Sequence, residues 1–174
     1  MITYRKPKPD EAEAFAALHV QCWREAYTPI LPLELVATFS SDMRLGMWQA
    51  ATADSERFVM GAFSEAVPVG FIISGATKEK YIDAQDGHLW GLYICASEQN
   101  QGIGRKLVEM AHGHWVSQGG HSMTVGVLAA NVPALRFYER LGETLFKHGT
   151  YDWNGFALPD CTYIWQNLAK LAKF

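Results

Sequence analysis

A β-prone run, a glycine turn and an amphipathic helix follow one another between residues 92 and 116, and this junction constrains the fold more than any other stretch. Leu92, Tyr93, Ile94 and Cys95 are apolar; a polar turn leads to Gly102-Ile103-Gly104, and a helix runs from Arg105 to about Val116. A strand that enters a helix through glycine builds an anion cradle. The first amides of a helix have no intrahelical partner, and the helix dipole adds partial positive charge there. Glycine removes the Cβ that would hold a phosphate away from the backbone. Arg105 and Lys106 stand at the positive end of the dipole, which does not favour helix stability, so a bound anion explains them better.

Two nucleotide loops are excluded by spacing. A P-loop needs Gly-x-x-x-x-Gly-Lys and then a hydroxyl residue, and the dinucleotide fingerprint needs a third glycine where Leu107 stands. The pattern present is Gln99-Asn100-Gln101-Gly102-Ile103-Gly104. A net charge of −3 argues against a nucleic-acid partner. No apolar run approaches the roughly 18 residues of a membrane span, and residues 1–7 lack the apolar core of a signal peptide. Cys22, Cys95 and Cys161 are odd in number and widely spaced, which fits a reduced, cytoplasmic setting. His112 and His114 are two apart on a helix and do not share a face, so no metal site is expected. With 174 residues, 49% of them hydrophobic, a single domain over 1–174 is expected.

In chain order, residues 2–5 read as an edge strand, and Pro9-Asp10-Glu11 opens a helix reaching about Ala26. Residues 33–39 and 43–51 read as two more helices. Residues 57–63 and 68–75 form a predicted hairpin with its turn near Glu65-Ala66, and 78–87 is a polar loop. Residues 88–95 are the strand that feeds the cradle. Residues 121–128 are a strand and 131–141 a helix with Asn131 as N-cap. Aromatic residues 144–153 and 160–166 make a closing strand pair, with Gly155 and Pro159 in the turn. The order β-α-α-α-β-β-β-α-β-α-β-β predicts a mixed α+β fold: a central mixed sheet of about seven strands flanked by helices.

After the second parallel strand comes Asn131-x-x-Ala134-x-x-Phe137-Tyr138-Glu139-x-x-Gly142. This segment resembles the second motif of the GNAT superfamily of acyl-CoA-dependent N-acetyltransferases. Gln99-x-x-Gly102-x-Gly104 resembles its pyrophosphate-binding motif, and the element order is similar across nearly the whole chain. One departure is Gly142-Glu143, where the family usually has Gly-Phe. The resemblance implies acetyl-CoA as co-substrate, no metal, and transfer to a primary amine of a small molecule or peptide by direct attack. It implies that the strands at 88–95 and 121–128 splay apart, freeing the backbone of Leu92, Tyr93 and Ile94 for the pantetheine arm. A strand N–H would then stabilise developing oxyanion charge. Residues Gln99, Asn100, Gln101, Gly102, Ile103, Gly104, Arg105 and Lys106 would hold the pyrophosphate, and Asn131 and Tyr138 would line the thiol end.

The resemblance makes Tyr138 the acid that protonates the leaving thiolate. His88 lies near the point where many members carry a glutamate base; histidine is chemically adequate for that role, with Asp86, Tyr27 and solvent as competitors. Tyr27 and Trp90 are candidate substrate contacts, and Glu25 or Asp86 candidate partners for a substrate ammonium. Cys95, on an apolar strand with no base beside it in sequence, reads as an inert thiol. The alternatives are a non-catalytic CoA-binding or regulatory module and an acyltransferase with another donor. The apolar C-terminal strands suit either packing within one chain or a homodimer.

Overall fold

The structure is a computed structural model that describes residues 1–77 and 86–168. In order it contains β1 (Ile2–Arg5), a 3-10 turn over Pro9–Glu11, α1 (Ala12–Tyr27), α2 (Leu33–Ala37), α3 (Ser41–Ala53), β2 (Phe58–Ser64) and β3 (Val67–Ala76). These are followed by β4 (Gly87–Ile94), a second 3-10 turn over Ala96–Glu98, α4 (Ile103–Ser117), β5 (Ser122–Leu128), α5 (Val132–Arg140), β6 (Thr144–Trp153) and β7 (Phe156–Gln166). The fold is mixed α+β, with a seven-stranded mixed sheet, as the element order predicts. The loop predicted over 78–87 lies largely outside the described residues. Two compact units divide the chain, one formed by residues 1–74 and 91–108, the other by 75–90 and 109–174.

In the first unit β1, β2 and β3 run antiparallel in that order. The β2–β3 turn is the two-residue pair Glu65-Ala66, both at positive φ (48° and 74°), the backbone that matches strand twist in a tight hairpin. The end of β4 joins β3, with Cys95 N–H donating to Val69 O at 2.9 Å. The core is aromatic: Phe15 of α1 lies 4.9 Å from Trp48 of α3 and 5.6 Å from Phe63 of β2. Each such ring contributes about 1.5–3 kcal/mol through burial. Gly61 is required by this packing, because a Cβ there would stand 2.6 Å from the Phe15 ring. Arg5 clamps Glu11 through two hydrogen bonds of 2.6 and 2.7 Å, which pull the Glu11 carboxyl down to about 2.

In the second unit the start of β4 pairs parallel with β5, β5 pairs antiparallel with β7, and β7 with β6. The β4–β5 ladder covers Gly87–Met123, His88–Thr124 and Leu89–Val125, while β5 stays paired to β7 as far as Leu128–Asp160. The closing hairpin differs from the sequence expectation. Its turn is only Asn154-Gly155, both at positive φ, and β7 begins at Phe156. Pro159 is therefore inside a strand, opposite Thr150. Its carbonyl accepts from Ala129 N–H, so that edge of the residue points away from β6 and the missing N–H costs no β6–β7 bond. Asp86, buried at the entrance to β4, accepts from the amides of His121 and Ser122 at 2.6 and 2.8 Å and from the Ser122 hydroxyl at 2.7 Å.

Candidate active site

The predicted strand–glycine–helix junction lies within the first unit. Leu92, Tyr93 and Ile94 are half-buried at the end of β4; the Tyr93 ring lies 5.0 Å from His19 and 5.5 Å from Phe71. The chain turns through the Ala96–Glu98 3-10 segment and Asn100, at φ 62°, to Gly102, at φ 81°. Gln99 folds back, its Nε2 donating to Ile94 O at 3.0 Å, and so ties the turn to the strand. Helix α4 starts at Ile103, two residues before the expected point, and Lys106 N–H to Gly102 O (3.0 Å) is a first-turn bond. The amides of 103–105 precede that bond along the helix. Among the described residues, its two chain neighbours aside, no heavy atom lies within 4 Å of a Cβ built on Gly102. Gln99, Asn100, Gln101, Gly102, Arg105 and Lys106 are exposed, whereas Ile103 and Leu107 are buried and anchor the helix. The loop thus shows solvent its backbone and its two cations.

The two acids that are candidates for a substrate ammonium both accept hydrogen bonds from backbone amides. Glu25 Oε2 accepts from Ala96 N–H at 2.9 Å and braces the turn after β4 against α1. Asp86 is engaged at the start of β5, as described above. Tyr27 is buried against Trp23, with ring centroids 4.2 Å apart. Burial and the nearby Glu25 carboxylate raise the Cys95 thiol, in keeping with an inert group.

In the second unit, Asn131 caps α5: its Oδ1 accepts from Ala134 N–H at 3.2 Å. Two helical turns later Tyr138 is 5% exposed, its ring 5.8 Å from Trp165. Just past α5, Glu143 is 6% exposed and neither carboxylate oxygen has a hydrogen-bond partner among the described residues. Burial pushes its pKa up to about 9, so it is a neutral acid at pH 7. On β4, Trp90 is 44% exposed and covers Gly75, where a Cβ would meet its ring at 2.5 Å. His88 is half-buried, and its Nδ1 lies 2.7 Å from Thr124 Oγ1. Sequence reasoning missed Thr124. The signal was a hydroxyl residue inside an apolar strand, legible only with the β4–β5 register.

Among the described residues no cluster of three His, Cys, Asp or Glu side chains is arranged to hold a metal ion, and no helix is long and apolar enough to cross a membrane. The profile of the Acetyltransferase (GNAT) family matches residues 13–142. YuaI of Bacillus subtilis, described as an uncharacterized N-acetyltransferase, is 26% identical over 172 residues, covering 98% of this chain and 96% of its own. Two solved structures share the fold. The PaiA N-acetyltransferase of Thermoplasma acidophilum, in complex with coenzyme A, has a TM-score of 0.76 at 20% identity, with 95% and 99% of the two chains covered. The putative acetyltransferase YncA of Salmonella typhimurium, with acetyl-CoA, has a TM-score of 0.71 at 19% identity, with 95% and 93% covered.

Proposed function

The chain belongs to the acetyltransferase (GNAT) family, and from that membership we propose that it moves an acetyl group from acetyl-CoA to a primary amine of a small molecule or peptide, by direct attack with both reactants bound. The observation that carries the donor assignment is the glycine start of α4. Open space over Gly102, exposed loop backbone and two exposed cations suit a diphosphate. The CoA and acetyl-CoA found in the two similar structures support the same donor.

When bound, acetyl-CoA supplies an activated acetyl thioester. The amides at the start of α4, with Arg105 and Lys106, hold its diphosphate, and Gln99 keeps the loop closed on the strand. Backbone groups of Leu92, Tyr93 and Ile94 bond the pantetheine amides, and a strand N–H stabilises the oxyanion. The short β4–β5 ladder supports this reading, because backbone must be freed for the arm to enter. Asn131 lines the thiol end, and the Tyr138 phenol donates its proton to the departing sulfur. Trp90, exposed on β4, borders the amine. Positioning both reactants provides much of the acceleration.

Calorimetric titration with acetyl-CoA, followed by thiol release across a panel of amines, tests the proposal. Saturable binding and amine-dependent thiol release are expected. Binding without turnover on any amine would favour a CoA-binding module instead, and no binding would remove the cradle assignment.

A further inference from the structure

We infer that Thr124 is a positioning residue that donates its hydroxyl proton to Nδ1 of His88 and holds the neutral imidazole with its remaining proton on Nε2. His88 then acts as a hydrogen-bond donor on the sheet face, not as the base for which its position makes it one candidate. This assignment of a role to His88 rests on the acetyl-transfer reading; the hydrogen-bond assignment does not.

The parallel register sets His88 of β4 directly opposite Thr124 of β5, so the two side chains leave the same face of the sheet. Nδ1 and Oγ1 are 2.7 Å apart, a short distance for a bond between nitrogen and a hydroxyl. A bond of this length runs in one of two directions. If Nδ1–H donated to Oγ1, the hydroxyl proton of Thr124 would need another acceptor. Thr124 is 0% exposed, and among the described residues its hydroxyl has no hydrogen bond other than the one to His88. That proton would be stranded away from water, which proteins avoid. If the hydroxyl donates to Nδ1, both groups are satisfied. A neutral imidazole whose Nδ1 accepts must carry its proton on Nε2.

The consequence is chemical. An Nε2–H cannot take a proton at Nε2, and Nδ1 faces a buried donor. His88 keeps its Nε2–H as a donor to an acceptor atom, and the amine loses its proton to water. Valine would fill the place of Thr124 with almost the same volume but could not set the tautomer.

The test is nitrogen-detected NMR of the His88 ring in ligand-free protein, with the signal assigned by its loss in His88→Gln, in wild type, Thr124→Ser and Thr124→Val. The wild type and Thr124→Ser should show Nε2 protonated and Nδ1 as a bonded acceptor. In Thr124→Val the Nδ1 resonance should move toward that of an unbonded nitrogen. A proton on Nδ1 in wild type, or an Nδ1 resonance indifferent to valine, would overturn the assignment. Kinetics then decide the role. For two amines whose own pKa values differ by about two units, the acid limb of kcat/KM should follow the amine. An acid limb fixed at the His88 titration seen by NMR would restore the base. If no amine is turned over, the acetyl-transfer reading fails while the NMR result still decides the Thr124–His88 bond.

Discussion

Helices α4 and α5 each follow a central strand, yet their starts are built in opposite ways. At α5 the chain satisfies its own amides: Asn131 Oδ1 takes Ala134 N–H, and Pro133 has no N–H to satisfy. At α4 the residue before the helix is Gly102, which has no side chain with which to cap, and the surrounding loop is exposed. A helix start that uses its own side chain spends its positive end on stability. One that begins behind glycine keeps that end for a ligand. On this reading α4 binds the charged end of the donor, and α5 is a rigid mount for Tyr138.

The largest effect expected from this division is chemical. Tyr138→Phe should lower kcat by about 100- to 10,000-fold, the usual range for a lost general acid, while acetyl-CoA affinity stays at the wild-type value. Steady-state turnover beside calorimetry checks this. A parallel loss of binding would mean that α5 shapes the donor site itself and that the division is wrong.

The far end of α5 gives the next effect, this time on stability. Glu143 follows Gly142, at φ 91°, and is buried with no partner for its carboxyl among the described residues, whereas the buried Asp86 carboxylate in the same unit accepts three hydrogen bonds. The folded-state pKa of Glu143 is raised to about 9 from an ordinary 4.5. Below about pH 4.5 the group is protonated in both folded and unfolded chains and costs nothing by ionisation. Between there and about pH 9 only the unfolded chain ionises, so stability falls as pH rises, and it levels off above that window. Glu143→Gln should abolish this slope and gain on the order of a few kcal/mol at pH 8 relative to wild type, with little gain at pH 4. Urea unfolding at the two pH values checks it; equal pH slopes would mean that the carboxyl finds a partner in solution.

What could be read in the sequence divides along the same line. The strand–glycine–helix junction is legible because its three parts are contiguous, and the N-cap because Asn131 acts on a residue three positions away. The sequence is least legible where the deciding partner is distant along the chain or where a side chain serves the backbone. Asp86 and Glu25 are candidates for a substrate ammonium in the sequence, and the structure shows their carboxylates accepting from amides at His121, Ser122 and Ala96. Thr124 acquires meaning only when the β4–β5 register sets it beside His88, 36 residues away. Asn154-Gly155 is itself a sufficient hairpin turn, and reading Pro159 as part of it delayed the strand by four residues. Gly142-Glu143 was visible as a departure, but only burial shows that it places a neutral acid in the second unit.

A moderate effect is expected at the open helix start. Gly102→Asp puts a carboxylate in the cradle and should weaken acetyl-CoA binding by about 10- to 100-fold, or ~1.4–2.8 kcal/mol. Gly102→Ala is the control. Its Cβ meets no atom of the described residues beyond its chain neighbours, so its cost is that of a positive φ, about 1–2 kcal/mol of stability. Aspartate losing no more affinity than alanine would show that residue 102 does not approach an anion.

The smallest effect belongs to the capped start. Asn131→Ala removes the acceptor for Ala134 N–H and should lower unfolding stability by ~1 kcal/mol. Asn131→Asp keeps an acceptor and adds a negative charge at the positive end of the dipole, so it should recover most of that loss. At α4 an added carboxylate has the opposite sign, because there it competes with the donor's phosphates instead of replacing a missing cap. Denaturant unfolding of the α5 pair, set beside calorimetry of Gly102→Asp, compares one charge at two helix starts. If aspartate at 131 weakens acetyl-CoA binding as much as aspartate at 102, both helix starts face the donor's anionic end, and self-capping does not separate a structural helix start from a binding one.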